Sequence, residues 1–455
     1  MKTLIKKTVL LLSVLIITSC EGFIEEDLPK DLVTEEMTFN NERMATAALT
    51  NIYTLMRNNG FLSGNRDGIS YLMGCYADEL EVVSEQESGF RHFFQGSVLS
   101  NNSSVRNLWN NSFSQIYAAN NVIEGVTGST ALSAEVNNQL LGEALAIRAI
   151  LHFYLTQTFG DVPYVKTTDY NANRQVGKTA AAEVMQMVKD DLLKAEQLLT
   201  PSYPSGEKVR INQRVVQGFL ARINLYIKNW SAARRYAELV IDDGQYNCDA
   251  LDKVFLKGSK SAVWQFKTAV EGVNTLEGGA HIFVALPVPN ARLQTVLVNE
   301  FDSEDQRRLQ WIKQIGTDAQ NTHAFKYKQR AATAATLEYS VIMRIEEMYL
   351  IVAEAAAEMG DFVTCSSSLD VIRSRSGLSR LDFAERSAAV EAVLNERRLE
   401  LFCEFGHRFY DLKRTGRLND VSTVKQNWQE HFRVLPLPEN ELLLNPNMLP
   451  QNAGY

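Results

Sequence analysis

The chain contains few of the residues that build metal and redox sites. Five cysteines and six histidines occur in 455 residues, and no two cysteines have the Cys-x-x-Cys spacing of zinc or redox motifs. The Gly-x-Ser-x-Gly, His-Glu-x-x-His, Walker and Gly-x-Gly-x-x-Gly motifs are also missing from the sequence. We therefore expect no metal, no cofactor and no catalytic residues, so the protein is not expected to be an enzyme.

Positive charge is also in short supply. Lysine and arginine number 46 against 54 acidic residues, which gives a formal net charge of −8. An acidic surface repels the phosphate backbone, so nucleic acid is excluded as an expected partner. Beyond the N-terminus, no apolar run approaches the ~20 residues that a membrane-spanning helix needs.

The N-terminus has the pattern of a bacterial lipoprotein signal peptide. Lys2, Lys6 and Lys7 precede a short apolar run at 9–17, which is typical of a signal peptide. The run leads into Ile17-Thr18-Ser19-Cys20, which resembles a lipobox and predicts cleavage after residue 19 and lipidation of Cys20. An ordinary cleavage site with an incidental cysteine is the alternative.

Residues 20–40 are predicted to be the lipid-anchored tether. Cleavage removes three lysines and no acid, so the mature chain has a formal charge of −11. Four acidic residues follow Cys20 closely: Glu21, Glu25, Glu26 and Asp27. They resemble the surface-export signal of Bacteroidetes lipoproteins, although a solvated tether would also be acidic.

The rest of the sequence is mostly helical in pattern. Apolar residues recur at helical spacing in 41–57, 105–126, 135–159 and 180–199. Residues 219–240 and 351–372 share a second pattern at an offset of 132: a helix, a polar turn, an aromatic residue and a second helix containing a small residue. This pattern predicts two helical hairpins of the tetratricopeptide type, with isolated hairpins as the alternative.

Two segments rich in glycine and asparagine, 58–104 and 255–345, are expected to form loops and a few short strands. Binding residues tend to lie on such loops, and sugars bind to aromatic rings flanked by polar groups. The candidate ligand-binding residues are therefore aromatic residues of these segments: Tyr71, Tyr76, Phe90, His92, Phe94, Trp311 and Tyr327. For each of them, a place in the core is an equally open interpretation. Trp109 and Trp230 fall on helical motifs and are expected in the core.

Two charged stretches have both a catalytic and a structural interpretation. Glu404 and His407 have the Glu-x-x-His spacing of metal sites in helical bundles, but no matching second set is present. The arginines interleaved through 396–414 favour ion pairs instead. Asp78 and Glu79 could suggest a pair of glycosidase carboxylates, but an acidic loop edge is the commoner explanation.

Six motifs, in order along the chain, resemble those of the SusD/RagB family of outer-membrane nutrient-binding lipoproteins. They lie at 20–29, 109–124, 142–163, 344–378, 396–414 and 435–455. They include Phe159-Gly160-Asp161-Val162-Pro163 and Leu435-Pro436-Leu437-Pro438; each motif is weak by itself, but six in the family's order make a chance match unlikely. The loops of this chain are compact for the family, so the binding residues of other members are not transferred to it.

The resemblance implies a mostly α fold, in which irregular tetratricopeptide-like hairpins form a scaffold with loop-rich regions facing the ligand. It implies one domain at 41–455, with an N-terminal part at about 41–225 and a C-terminal part at about 226–455. It also implies a surface-exposed outer-membrane lipoprotein that passes a glycan, or in some members a peptide, to a SusC-like TonB-dependent transporter. A secreted all-helical glycoside hydrolase and a tetratricopeptide scaffold for peptides are the alternatives.

Overall fold

The structure is a computed structural model that describes residues 35–86 and 88–455. The predicted signal peptide, Cys20 and most of the predicted tether lie outside the described residues. Within the described ranges, none of the helices has the length and apolar content required to span a membrane.

Long helices dominate the N-terminal half. The four segments in which apolar residues recur at helical spacing form helices, as predicted; they are labelled α2, α5, α6 and α8 in the list that ends this paragraph. Side-chain oxygens of Asn102 and Ser133 accept hydrogen bonds from the first backbone N–H groups of α5 and α6, which explains where these helices begin. The helices of this half are α1 (Glu35–Phe39), α2 (Glu42–Asn58), α3 (Ile69–Tyr76), α4 (Ser88–Gln95), α5 (Ser103–Gly128), α6 (Ala134–Phe159), α7 (Tyr170–Asn173) and α8 (Ala181–Leu198).

Helix α6 lies between α5 and α8 and is the central helix of this half. Most of its residues from Leu140 onward are buried on every side, so its sequence is apolar almost all round. Gly142 permits the close approach of α8, because a Cβ at this position would lie 2.7 Å from Leu199.

The C-terminal half contains both predicted helical hairpins. Asn229 and Asp361 cap the second helix of each hairpin, and the small residues Ala233 and Cys365 are fully buried between the paired helices. The helices are α9 (Gln213–Tyr226), α10 (Trp230–Ile241), α11 (Leu276–His281), α12 (Thr295–Glu300), α13 (Gln306–Trp311), α14 (Ile345–Glu358), α15 (Phe362–Arg375), α16 (Arg386–Leu401), α17 (His407–Arg414) and α18 (Glu439–Leu444). Two 3₁₀ turns lie between α17 and α18, at Leu418–Thr423 and Glu430–Arg433, and a third follows α18 at Pro446–Met448. The prediction of a mostly α fold with tetratricopeptide-like hairpins is confirmed.

A buried ion pair joins the two hairpins. Arg222 on α9 donates two hydrogen bonds to the carboxylate of Glu347 on α14, at 2.7 and 2.6 Å, and a third to the hydroxyl of Tyr154. The nearby guanidinium holds the pKa of Glu347 down at about 2 against the opposing effect of burial.

Short strands form three antiparallel pairs in the described residues: β1 with β3, β2 with β6, and β4 with β5. The apolar run 262–266 forms β2, whereas the chain that follows α11 is irregular and leaves Val284 and Leu286 exposed. The strands are β1 (Leu80–Val82), β2 (Ala262–Phe266), β3 (Ala291–Leu293), β4 (Ile312–Gln314), β5 (Thr322–Ala324) and β6 (Ser340–Arg344).

The expectation that 58–104 and 255–345 lack helices is wrong. The first segment contains α3 and α4, and the second contains α11, α12 and α13. All eight residues of α3 are buried, so the helix has no polar face that would reveal it by periodicity. Its burial also outweighs the helix-breaking tendency of Gly74.

Arginines and carboxylates of the C-terminal half form a buried network, which confirms the ion-pair interpretation of 396–414. Arg344 on β6 donates to Glu404 at 2.9 Å and also contacts Glu400, while Arg397 donates to Asp411 at 2.8 Å. We call this network the ion-pair block; it consists of Arg307, Arg344, Arg397, Arg414, Glu354, Glu400, Glu404 and Asp411.

The other polar residues considered as catalytic candidates have structural partners. The Glu404 carboxylate accepts from Arg344 and Lys326, and burial lowers the pKa of His407 to about 4. Asp78 accepts hydrogen bonds from Arg398 and Arg408, both at 2.8 Å. Cys403 is buried and lies in the turn that follows α16, with φ 55°.

Candidate ligand-binding site

The structure brings the two predicted loop-rich segments together on one side of the molecule. Strand β1 from the first segment pairs with β3 from the second, with Leu80 opposite Leu293. Arg66 from the first segment also donates a hydrogen bond to the side-chain oxygen of Asn290 in the second segment, at 3.0 Å. Residues that are more than 200 positions apart can therefore contribute to a single surface.

The short helix α11 lies at the centre of this surface. Thr275 caps its N-terminus by accepting a hydrogen bond from the backbone N–H of Gly278. Gly278 allows α11 to lie directly on the chain at Gln329, because a Cβ there would be 2.0 Å from the Gln329 carbonyl oxygen. Glu277 and His281 are four residues apart and therefore share one side of the helix.

A group of rings surrounds His281. The Tyr71 ring lies 5.5 Å from Phe90 in an edge-to-face contact and 5.6 Å from His281, and the Arg66 guanidinium lies 5.3 Å from the Phe90 ring. Phe90 and His281 are half-buried, so neither residue is fully enclosed by the core. Burial lowers the pKa of His281 to about 4, so at neutral pH its uncharged imidazole can donate and accept hydrogen bonds with hydroxyl groups.

Glu277 is a buried carboxyl with spare hydrogen-bonding capacity. Ser340 donates to its Oε1, whereas Oε2 has no hydrogen-bond partner among the described residues. Gly64 makes room for the group, since a Cβ at Gly64 would lie 2.0 Å from the Glu277 carboxyl carbon. Burial raises the pKa of Glu277 to about 7, so near neutral pH the carboxyl can donate or accept a hydrogen bond.

A cavity of about 80 Å³ adjoins Glu277 and opens beside Arg57 and Asn274. It shares Arg57, Phe266 and Thr268 with a neighbouring trough of about 520 Å³ that also has Glu207 and Lys267 in its walls. We use the name α11 face for Arg66, Tyr71, Phe90, Glu277, His281 and Asn290. This combination of accessible rings, an amide and a carboxyl beside an open trough suits a ligand rich in hydroxyl groups.

A second groove of about 520 Å³ lies between the first hairpin and helices α16 and α17. Most of its charged residues are already engaged with one another: Arg386 pairs with Glu358, and Arg417 pairs with Glu391. We therefore place the candidate site at the α11 face, where polar groups remain available.

Two family models match separate parts of this chain. A model described as "Starch-binding associating with outer membrane" matches residues 25–225, and a model of the SusD family matches residues 319–455. Together they cover well over half of the sequence. The chain belongs to the SusD/RagB family.

Individual SusD proteins align with this chain over nearly its full length. SusD-like protein P25 of Formosa agariphila is 23% identical, over 96% of this chain and 97% of the relative. A SusD superfamily protein from Parabacteroides distasonis has a TM-score of 0.80 at 19% identity, over 91% of this chain and 99% of its own. A laminarin-binding SusD-like protein has a TM-score of 0.75 at 19% identity, over 91% and 100%. The fold is therefore that of the SusD superfamily.

Family membership does not identify the ligand-binding residues of this SusD-family protein. Residues 226–318 are matched by neither family model, and α11 and Asn290 lie within that interval. The composition of the α11 face must therefore be derived from the structure of this chain.

The structure separates the predicted ligand-binding residues into three groups. Tyr71 and Phe90 meet at the α11 face, although Tyr71 is only 1% exposed and supports Phe90 instead of presenting a ring of its own. His92 and Phe94 lie half-buried on α4, and the amine of Lys425 lies 4.8 Å from the Phe94 ring.

The remaining three predicted rings are in the core. Tyr76 packs against Phe93 and Phe409 with no exposed surface. Trp311 is also fully buried and donates its indole N–H to the Leu251 carbonyl oxygen at 2.9 Å. Tyr327 packs with Phe255, and its hydroxyl accepts a hydrogen bond from the Val341 backbone. A ring without an exposed face cannot stack on a sugar, so we remove these three from the candidate site.

Sequence reasoning missed Arg66, Glu277, His281 and Asn290. The only local signal is at 275–279, where a threonine, an acid and two glycines mark a possible helix start with close backbone packing. Nothing in the sequence shows that Glu277 is buried or that Asn290 contacts Arg66, because both features depend on the pairing of distant segments.

Proposed function

We propose that this protein is a cell-surface lipoprotein that binds a glycan at the α11 face and delivers it to a SusC-like TonB-dependent transporter in the outer membrane. It binds its ligand without cleaving it. The lipid on Cys20 anchors the mature chain, and the scaffold of helical hairpins holds the α11 face toward the ligand.

The observation that carries this proposal is the unengaged chemistry of the α11 face. Glu277 retains an oxygen without a partner among the described residues, and the half-buried ring of His281, four residues along α11, contacts Tyr71, which packs on the half-buried ring of Phe90. Pyranose rings have apolar C–H faces that pack on aromatic rings and hydroxyls that need both donors and acceptors. The α11 face provides both kinds of contact.

Two comparisons support a glycan as the ligand. The family whose pattern matches residues 25–225 is described as starch-binding, and one protein of the same fold is a laminarin-binding SusD-like protein. The same family description includes an association with the outer membrane, which likewise supports a membrane transporter as the partner. An open site on a rigid scaffold binds with modest affinity, which suits a protein that passes its ligand on.

Calorimetric titration with laminarin and starch oligosaccharides tests the binding site. Phe90→Ala should weaken binding about fivefold to thirtyfold, which corresponds to roughly 1–2 kcal/mol of lost stacking and apolar burial. Phe94→Ala is the matched control, since it removes a half-buried ring from the same short helix and should leave the affinity unchanged.

Circular dichroism should show that both variants are folded. Equal affinities for Phe90→Ala and wild type would remove the binding site from the α11 face. Chromatography of the oligosaccharide after each titration tests the non-enzymatic part of the proposal, which fails if the wild-type protein shortens the chain.

Membrane attachment should depend on Cys20. The Cys20→Ala variant has no acylated cysteine, so it should move from the membrane to the soluble fraction. The fractionation is best done in cells that lack the neighbouring transporter, because docking to it could retain the protein. Persistence of the variant in the outer membrane of those cells would refute the lipid anchor.

A further inference from the structure

A second groove with aromatic walls lies on α5, and it shares no residue with the α11 face. It has a volume of about 320 Å³ and is bounded by α5, the segment at 163–176 and α18. Three of its rings come from successive turns of α5: Trp109, Phe113 and Tyr117. Their spacing of four residues places them along one side of the helix.

The three rings become progressively more accessible along the groove. Trp109 is 2% exposed, Phe113 is half-buried against it with ring centroids 4.8 Å apart, and Tyr117 is 52% exposed. The exposed ring of Tyr117 therefore continues the row of rings to the surface and leaves a ring face open to a ligand in the groove.

Polar groups lie among these rings. The indole N–H of Trp109 donates to Oε2 of Glu441 at 3.2 Å, which fixes this carboxylate at the end of the groove. Asn110 and Asn173 contribute amide side chains to the lining. Among the residues that the structure describes, no lysine or arginine lines the groove, so this lining offers no compensating charge to an anionic ligand.

Hydrogen bonds hold the walls of the groove in place. The Asn120 side chain donates to the Val165 carbonyl oxygen at 3.1 Å, and the Thr168 backbone donates to Glu124 at 2.9 Å, which together tie the segment 163–176 to α5. From the C-terminal part, Asn445 donates to the Val176 carbonyl oxygen at 2.8 Å. A groove that is already ordered loses little entropy when a ligand binds.

We propose that this groove is a second carbohydrate-binding site, which takes one or two sugar rings of an uncharged glycan against Phe113 and Tyr117, with hydrogen bonds to Glu441 and the two asparagines. Its volume is at the small end of the range for ligand pockets. The site rests on the proposed glycan-binding function and extends it, since one glycan chain could be held at two separate points.

The test is a calorimetric titration with laminarin and starch oligosaccharides in a Phe90→Ala background, where the α11 face is weakened. Adding Tyr117→Ala should reduce the remaining affinity a further fivefold to thirtyfold, whereas Tyr117→Phe should retain it because the ring is preserved. Tyr170→Ala serves as the control, since Tyr170 is 72% exposed but does not line the groove. Circular dichroism should confirm folding, as expected for substitutions of exposed side chains.

The outcomes separate this proposal from the proposed function. If the wild-type protein binds neither oligosaccharide, the glycan-binding function fails and the second site with it. If wild type binds but Tyr117→Ala has no effect in the Phe90→Ala background, only the second site is refuted. If Tyr117→Ala instead abolishes co-purification with the transporter and leaves glycan affinity unchanged, the groove belongs to a protein partner and the proposal is overturned.

Discussion

Two of the regions in which this protein buries charged side chains satisfy them differently. In the ion-pair block, each arginine faces at least one carboxylate; Arg344, for example, contacts both Glu400 and Glu404. At the α11 face, Glu277 forms no ion pair with any described residue, and one of its oxygens has no hydrogen-bond partner there. The paired charges hold the scaffold together, while the buried carboxyl beside the cavity keeps hydrogen-bonding capacity that the fold does not use.

The largest expected effect comes from removing one arginine of the ion-pair block. Arg344→Ala leaves Glu400 and Glu404 with fewer buried cationic partners, and breaking a buried pair in this way costs ~3–5 kcal/mol of unfolding free energy. Urea denaturation followed by circular dichroism measures this loss.

The matched control for this variant is Arg433→Ala. Arg433 pairs with Glu430 on the surface, where an ion pair contributes roughly 0–1 kcal/mol. If Arg344→Ala costs no more than this control, the ion-pair block does not stabilise the scaffold and the contrast with the α11 face disappears.

A pH-dependent effect is expected at Glu277. The folded protein raises the pKa of this carboxyl from 4.5 to about 7, so the folded chain binds the proton more tightly than the unfolded chain does. The free-energy cost of ionising the buried Glu277 is therefore absent well below pH 4.5 and rises as the pH approaches 7. It reaches at most about 3 kcal/mol above pH 7.

Glu277→Gln removes this cost. The variant should be more stable than wild type at pH 8, by up to about 3 kcal/mol, and close to wild type at pH 4. Denaturation curves at the two pH values provide the measurement. The same stability difference at both values would mean that Glu277 does not titrate as its burial predicts.

A smaller effect should follow from filling the space beside Glu277. Gly64→Ala would place a Cβ 2.0 Å from the Glu277 carboxyl carbon, so the carboxyl must move at a cost of roughly 1–3 kcal/mol. The displacement should also weaken glycan binding, which calorimetry would detect.

Gly89 offers the control in the same loop-rich segment. A Cβ at Gly89 meets no atom within 4 Å, and the residue lies in helix α4, so Gly89→Ala should be neutral or slightly stabilising. Equal stabilities and affinities for the two alanine variants would show that the close packing of Gly64 against Glu277 has no consequence.

Local pattern was sufficient to predict the long helices and both hairpins. Helices α2 and α8 have one polar and one apolar side, and the Trp230 and Phe362 hairpins repeat the same arrangement of turn, ring and small residue. Helix α3 could not be predicted in this way, since it is buried on every side and therefore has no alternation to detect.

The candidate site was only partly predictable for a related reason. Composition directed attention to the aromatic residues of the loop-rich segments, and Phe90 does lie at the α11 face. Trp311 and Tyr327 come from an equally suitable segment but are in the core, because their neighbours in space are Phe255 and the ion-pair block. Glu277 was missed because its burial results from contact with Gly64, more than 200 residues away in sequence.

A crystal structure of the protein with a bound laminarin or starch oligosaccharide would test the central claim most directly. The account predicts a sugar ring packed on Phe90, with its hydroxyls within hydrogen-bond distance of Glu277, His281 or Asn290. A glycan bound elsewhere on the molecule, with Phe90 uncovered and the Glu277 cavity filled only by water, would contradict it.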